Sequence, residues 1–165
     1  MSMNLKQLLR HAAIAAVMLW TGVVNAATYQ FSLTGDYTAS WQLDSNPAPD
    51  GYSLGIGFTL FDVQGSYTGA LLPVADLTFF HSSQDGGLAI DDFYGGMTLL
   101  VADGTQLYSG SEDAPVFKLG TFALTEYQGS GHYSLSVSAV PEPATYGMLL
   151  AGLSLVAVAR RRRQS

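Results

Sequence analysis

The sequence predicts an all-β domain, an antiparallel β-sandwich of jelly-roll-like or immunoglobulin-like topology, flanked by two targeting segments. Three observations support this prediction. Apolar and polar residues alternate with period two in many short runs between residues 27 and 139. Glycine, proline, asparagine and aspartate separate the runs, as they do at turns. No stretch of this central region has the period of a helix, so regular short strands favour a sandwich over a β-α-β fold.

The first part of the central region predicts a hairpin and a loop. Residues alternate from Tyr29 to Thr34 and from Tyr37 to Asp44, and Gly35-Asp36 between them is a turn signal. The stretch from Ser45 to Gly51 contains two prolines and an Asp-Gly pair, which predicts a loop. Leu54 to Leu60 alternates around two glycines, which predicts a strand that tolerates a bulge.

The later runs predict short strands joined by tight turns. A weaker strand spans Val63 to Ala70, and a strongly apolar one spans Val74 to His81. The Asp103-Gly104 pair between Val101 and Leu107 predicts a two-residue hairpin. The remaining runs, which bring the prediction to between nine and eleven strands, are 88–94, 97–102, 106–108, 116–119, 121–127 and 133–139.

The first 26 residues have the pattern of a secretory signal peptide. Lys6 and Arg10 make the beginning basic, an apolar run of 13 residues follows, and small residues precede Ala27. We therefore expect export by the secretion machinery and cleavage by signal peptidase between Ala26 and Ala27. An uncleaved anchor helix is the alternative, which the short apolar run disfavours.

Residues 140–165 form a tail with three ordered parts. Pro141, Glu142 and Pro143 make a stiff hinge, because each proline fixes φ and restricts the residue before it. The uncharged run 145–159 predicts a single transmembrane helix about 22 Å long, and snorkelling side chains compensate for the shortfall against a hydrocarbon core of about 30 Å. A cationic cluster predicts a stop-transfer signal that keeps the C-terminus cytoplasmic. It consists of Arg160, Arg161, Arg162 and Arg163.

This tail resembles the PEP-CTERM sorting signal of exopolysaccharide-producing Gram-negative bacteria. The resemblance implies processing near Pro141, Glu142 and Pro143 by an exosortase, a membrane transpeptidase-like enzyme. It also implies an inner-membrane intermediate, delivery to the cell surface or extracellular matrix, and exopolysaccharide as a further candidate partner. The same tail carries the label "ice-binding protein C-terminal domain", which describes the tail and not an ice-binding activity. The central region, with Ala39-Ser40-Trp41 and residues 75–80, is similar to passenger domains beside such tails, which implies architecture alone.

The exported body, residues 27–139, is strongly acidic. It contains one lysine, Lys118, against twelve acidic residues, so its net charge is about −11 with neutral histidines. Such a surface repels phosphate, which excludes nucleic acid as a partner. The chain has no cysteine, so we expect core packing, with bound calcium as an addition, to stabilise the body without disulfides.

No motif in the body predicts catalysis, and we expect no enzyme activity. A set of Ser82, His81 and Asp85 can be imagined, but adjacent residues rarely face one another and no Gly-x-Ser-x-Gly elbow is present. Asp91 and Asp92 are adjacent in a predicted strand, so their side chains should point to opposite faces. A pair of carboxylates across a cleft, as in a glycosidase, remains an alternative.

We expect no cofactor, with calcium as the alternative. Asp44, Asn46 and Asp50 share one predicted loop and supply the hard oxygen ligands that calcium prefers. Their spacing is not that of an EF-hand, because position 48 lacks an acid and the twelfth position is Gly55. Ordinary turn-forming residues are the other interpretation.

Aromatic residues predict both a core and a candidate surface platform. Tyr37 and Trp41 share parity with Leu43, which favours core packing. Tyr52 and Tyr94 lie beside predicted loops and are candidates for stacking on sugars. The leading interpretation is therefore an exported, non-enzymatic surface or matrix protein. A carbohydrate-binding module, with or without assistance from calcium, is the alternative, followed by a surface hydrolase.

Overall fold

The computed structural model describes residues 26–141 and contains, within this range, eleven β-strands and one short 3-10 helix. The bounds of the elements are β1 (Thr28–Gly35), β2 (Ala39–Asp44), β3 (Gly51–Ser53), β4 (Gly57–Tyr67), β5 (Val74–Phe80), the 3-10 helix (Ser82–Gln84), β6 (Leu88–Asp92), β7 (Met97–Gly104), β8 (Tyr108–Ser109), β9 (Val116–Phe117), β10 (Gly120–Glu126) and β11 (His132–Ala139).

Several predicted features lie outside the described residues. They are the signal peptide up to residue 25, the hinge residues Glu142 and Pro143, the helix predicted at 145–159 and the arginine cluster Arg160–Arg163. Within residues 26–141, no helix is long and apolar enough to cross a membrane.

Nine strands form one antiparallel sheet, which closes on itself. The strand order is β2-β1-β11-β10-β7-β6-β5-β4-β3, and an additional pairing joins β2 to β4. The closed part is an eight-stranded barrel, with β3 attached to β4 outside it. The all-β prediction is therefore confirmed, whereas the arrangement as a two-sheet sandwich is not. Alternation specifies an inner and an outer face, and both architectures satisfy it equally well.

Side chains fill the interior of the barrel, as expected for a barrel of eight strands. The Phe31 ring stacks on Trp41 at 5.4 Å between centroids, and Trp41 stacks on Tyr67 at 6.0 Å. Every barrel strand contributes at least one buried apolar residue to this core, among them Phe31, Trp41, Phe58, Leu77, Ile90, Leu100, Leu124 and Leu135.

A separate two-stranded sheet, β8 paired with β9, plugs one end of the barrel. Leu107, Tyr108 and Phe117 from this plug, residues 105–119, are buried in the same core as the barrel residues. The Phe117 ring lies 4.9 Å from Phe31 and 4.8 Å from Phe79, both in edge-on geometry. The plug thus completes the apolar core at this end of the barrel, which we call the plug end.

The predicted hairpin at Asp103-Gly104 is wrong. Strand β7 continues through Gly104, which pairs with Leu124 of β10, and Tyr108 pairs instead with Phe117. The Asp-Gly signal is local, whereas β10 offers β7 a longer partner within the barrel wall. The chain therefore leaves the wall after Gly104 and enters the plug.

The strand predicted from Leu54 to Leu60 is only partly correct. Residues 54–56 form the turn between β3 and β4, with Leu54 and Ile56 exposed. Gly55 at this turn has a φ of 73°, a conformation that favours glycine. Strand β4 then begins at Gly57 and runs to Tyr67, so it also includes the beginning of the weaker strand predicted from Val63.

Replacing Phe117 with alanine should test the contribution of the plug to stability. Phe117 is buried among three other phenylalanine rings, so Phe117→Ala should lower the free energy of unfolding by about 3–5 kcal/mol. Its exposed strand neighbour provides a matched control, and Val116→Ala should cost less than about 1 kcal/mol. Denaturant unfolding measures both values, and equal losses would contradict a buried plug.

Candidate functional site

The two ends of the described chain leave the barrel from neighbouring strands. Ala139 at the end of β11 pairs with Tyr29 of β1, and the Val140 N–H donates to the Thr28 carbonyl at 2.8 Å. The Ala27 carbonyl accepts a hydrogen bond from the Ser45 N–H at 2.7 Å. The predicted cleavage position after Ala26 and the first hinge residue, Pro141, are thus each within two residues of the barrel ladder.

A buried carboxylate connects the plug to the turn between β3 and β4. Glu112 is only 4% exposed, and its two oxygens accept hydrogen bonds from the Tyr108 hydroxyl at 3.0 Å and the Gly55 N–H at 3.1 Å. The bond from Gly55 is the main reason that the pKa of Glu112 is lowered, while burial opposes this change. Burial, followed by the bond to Glu112, raises the pKa of Tyr108. The ionised Glu112 therefore serves as a structural link.

The structure does not arrange Ser82, His81 and Asp85 as a catalytic relay. Nδ1 of His81 accepts from the Ser83 N–H at 3.1 Å and lies 2.8 Å from the Ser83 hydroxyl, so it caps the 3-10 helix. The Ser82 N–H donates to Gln106 at 2.9 Å. Asp85 is the residue that ends this helix, in a left-handed conformation. These contacts are those of a capped turn.

Asp91 and Asp92 have different environments, as predicted from their adjacency in a strand. Asp92 is buried and accepts hydrogen bonds at 2.7 Å from the N–H groups of Leu71 and Gly95. Asp91 is only partly buried and accepts from the Thr98 hydroxyl. Asp92 thus holds together two loops at the barrel end opposite the plug.

The predicted calcium candidates have local hydrogen-bonding roles. Asp50 accepts from the Phe61 N–H at 2.8 Å, and Asn46 accepts from the Ser45 hydroxyl at 3.1 Å. Asp44 is exposed at the end of β2. Within residues 26–141, no group of three or more histidine, cysteine or acidic side chains is placed to hold a metal ion. Calcium binding at this loop stays a prediction.

A groove of about 780 Å³ lies in the barrel wall between β2 and β4. The two strands pair only at Ala39, Ser40 and Trp41 of β2, and toward the plug end the loop 47–50 borders the space between them. We call this space the wall groove. Its apolar lining residues include Trp41, Leu43, Leu60, Phe61 and Val63, and its polar ones include Gln30, Ser40, Gln42, Gln64, Ser66, Asp44 and Asp50.

Hydrogen bonds fix the border of the wall groove and two of its amide side chains. The Phe117 N–H donates to the Ser45 carbonyl at 2.8 Å, and the Asp50 N–H donates to the Thr59 carbonyl at 3.1 Å. Gln30 donates to the Trp41 carbonyl at 3.0 Å and accepts from the Gln42 amide at 2.9 Å. The loop is therefore held at both ends, and the Gln42 side chain is held by Gln30.

A β-bulge adjoins the wall groove and forms a second cavity. The register of β4 against β5 shifts between Leu60 and Val63, and Asp62 has a φ of 52°. The bulge leaves Leu60 and Val63 both buried, so Phe61 and Asp62 both face outward, and 53% of the surface of Phe61 is exposed. Phe61 then borders both the wall groove and a cavity of about 300 Å³, the aromatic pocket. Its lining residues are Phe61, Asp62, Asp76, Phe93 and Tyr94.

Polar contacts position the side chains of the aromatic pocket. The Asp62 N–H donates to Asp76 at 2.9 Å, and the Tyr94 hydroxyl donates to Asp62 at 3.2 Å. This bond and the negative charge of Asp62 raise the pKa of Tyr94. The Phe93 and Tyr94 rings meet edge-on at 5.7 Å. The pocket thus combines exposed aromatic faces with two carboxylates.

The structure separates the aromatic residues that were predicted together. Tyr94 is exposed and lines the aromatic pocket, whereas Tyr52 is exposed but lines neither this pocket nor the wall groove. Trp41 is buried and Tyr37 packs against the core, as predicted. Phe61 was not among the predicted site residues. Its position just before Asp62, in the gap between two alternating runs, was the only sequence signal for the bulge.

Comparison with protein families finds one match, at the C-terminal end of the chain. Residues 139–163 match the PEP-CTERM protein-sorting motif. No curated protein matches the chain. No solved structure matches it either. The chain thus carries a PEP-CTERM sorting motif, which indicates an exported protein that is targeted to an exosortase and sent across the membrane toward the cell surface.

The contribution of Glu112 to stability should depend on pH in a defined way, and substitution should remove that dependence. Folding lowers the pKa of Glu112, so the contribution of its carboxylate to the free energy of unfolding is complete above the ordinary value of 4.5 and is lost as pH falls through the lowered pKa. Wild type should therefore exceed Glu112→Gln in stability near neutral pH, and the difference should shrink in acid.

Chemical denaturation at a series of pH values measures this difference. Glu112→Ala leaves the Tyr108 hydroxyl without its acceptor and should cost about 1–3 kcal/mol near neutral pH. The exposed neighbour serves as the control, because Asp113→Asn should change stability by less than about 0.5 kcal/mol. A difference between wild type and Glu112→Gln that is constant with pH would contradict the role of the ionised carboxylate.

Proposed function

We propose that this protein is an exported, non-enzymatic component of the cell surface or extracellular matrix, delivered by the PEP-CTERM route. One observation carries the proposal. The sorting motif begins at residue 139, the last residue of the last barrel strand. The barrel is therefore complete where the motif starts, and the motif can be processed without removing any core residue.

Each part of the tail has a proposed role in this route. Pro141, Glu142 and Pro143 are recognised by the exosortase-type enzyme, and the helix predicted at 145–159 holds the chain in the inner membrane during processing. Arg160–Arg163 stop transfer by remaining on the cytoplasmic side. Signal peptidase acts after Ala26 at the other end. The hydrogen bond from Val140 to Thr28 supports this assignment, because it ties the residue before the hinge to the barrel.

The arrangement of polar residues supports a non-enzymatic role for the barrel. The His81 ring caps a short helix, the Glu112 carboxylate links the plug to a turn, and Asp92 joins two loops. Each of these groups is engaged with backbone N–H groups. A screen of the exported chain against hydrolase substrates tests this role, and turnover that is lost on substitution of these residues would contradict it.

Removal of the arginine cluster should impair processing. Deletion of Arg160–Arg163 removes the charge that resists translocation, so the tail should no longer be held at the exosortase. Replacement of all four residues with lysine keeps the charge and is the matched control, for which processing should be normal. Mass spectrometry of the surface fraction measures the result by identifying both chain ends. Normal processing of the deletion variant would contradict the stop-transfer role.

A carbohydrate-binding module is the second candidate function. It is favoured by the aromatic pocket, in which Phe61, Phe93 and Tyr94 are all more than half exposed. Exposed rings can pack on the apolar faces of sugars, while neighbouring polar groups set orientation. Calcium would assist from the loop containing Asp44, Asn46 and Asp50. If it does, a chelator should abolish glycan binding. Binding that persists in the presence of chelator would contradict the role of calcium but not the carbohydrate-binding function.

A further inference from the structure

We propose that the wall groove and the aromatic pocket form one continuous site for an extended, uncharged polysaccharide chain. This inference rests on the second candidate function and is independent of the sorting route. Phe61 lines both cavities, so a chain that occupies one passes over this ring into the other. Two adjoining cavities on the outer wall suit consecutive units of a polymer better than a single small molecule.

The polar groups of the wall groove fit sugar hydroxyls. A glutamine side chain carries both donors and an acceptor, so one whose amide groups are free can bridge two neighbouring hydroxyl groups. Three of them, Gln30, Gln42 and Gln64, line the groove together with the hydroxyls of Ser40 and Ser66. Gln30 donates its amide N–H groups to two main-chain carbonyls and accepts from Gln42, so it orients the Gln42 side chain before a ligand arrives, and Gln42 and Gln64 supply the amide groups for the sugar.

The charge of the site selects against acidic polymers. Asp44 and Asp50 line the wall groove, Asp62 and Asp76 line the aromatic pocket, and neither cavity is lined by lysine or arginine. A polysaccharide that carries carboxylate or sulfate groups would meet this negative charge and be repelled. An uncharged chain offers hydroxyl donors to the same carboxylates without that repulsion.

Hydrogen bonds already hold the segments around the site, which lowers the entropic cost of binding a ligand. The loop at its border is held at Ser45 and at Asp50. The bulge at Phe61 and Asp62 is held by the hydrogen bond from the Asp62 N–H to Asp76. A ligand therefore binds without first having to immobilise these segments. The expected affinity is modest, because the cavities are open and much of the binding energy comes from Phe61 and Tyr94.

The first test is calorimetry on the full chain in a detergent without a sugar headgroup. The probes are cellohexaose, laminarihexaose and mannohexaose as uncharged chains, and an alginate hexasaccharide as the acidic one. At least one uncharged probe should bind with a Kd below about 1 mM, and alginate should bind at least roughly tenfold more weakly, a ratio that corresponds to about 1.4 kcal/mol. Absence of binding to every uncharged probe, or equal binding of alginate, would overturn the proposal.

Variants locate the site and test its selectivity. Phe61→Ala should weaken binding of the uncharged probe by at least roughly tenfold, whereas Tyr127→Ala should leave it unchanged, since Tyr127 is 52% exposed and lines neither cavity. Asp44→Asn combined with Asp62→Asn should narrow the gap between alginate and the uncharged probe, and asparagine tolerates the left-handed conformation at position 62.

Two controls separate misfolding and missorting from loss of binding. Thermal unfolding should show Phe61→Ala folded at the temperature of the assay, because this side chain is exposed. Delivery of Phe61→Ala to the surface should match wild type, since sorting depends on the tail. If Phe61→Ala is folded and still binds like wild type, the site is elsewhere, and the sorting proposal is unaffected.

Discussion

Strands β2 and β4 pair at only three positions, from Ala39 to Trp41 on β2, and their backbone hydrogen bonds close the sheet. Without this pairing, both strands would be sheet edges with unpaired backbone groups, and the aromatic core around Trp41 would face water. The contact is also the reason for the wall groove, because two strands that meet at one end and separate toward the other leave a space between them. Core and candidate site therefore depend on one short ladder.

Closure of the sheet into a barrel does not by itself explain how an exported domain without disulfides stays folded. The plug adds Leu107, Tyr108 and Phe117 to the core at the end of the barrel that the strands leave open. Glu112 then connects the plug to the turn at Gly55 through a charge-assisted hydrogen bond. The same plug supplies the N–H group of Phe117 that holds Ser45 at the border of the wall groove. The plug therefore contributes both to the stability of the barrel and to the geometry of the wall groove.

The bulge at Phe61 and Asp62 shapes the part of the barrel surface that we propose binds the ligand. An uninterrupted strand would place only one residue between Leu60 and an inward-facing neighbour, so the exposed ring and the carboxylate would not both face solvent. The extra residue keeps Asp62 on the outer face beside Phe61, within reach of the Tyr94 hydroxyl. The acidic body, which suits an exported protein, is the basis of the selectivity for uncharged chains that we propose for this surface.

The local pattern of residues was sufficient to predict most strands and the C-terminal sorting signal. Alternation at Tyr29–Thr34 and Tyr133–Ala139 marks strands that the structure contains, and the motif at 139–163 is a contiguous signal. Contacts between distant segments decided the rest. Nothing near Trp41 indicates that it pairs with Gly65, nothing near Gly104 indicates Leu124 as its partner, and Tyr108 gives no sign that it enters the core. Period-two alternation records which face of a strand is buried, but the choice between sandwich and barrel depends on which strand edges meet, and that is settled only by packing of the whole chain.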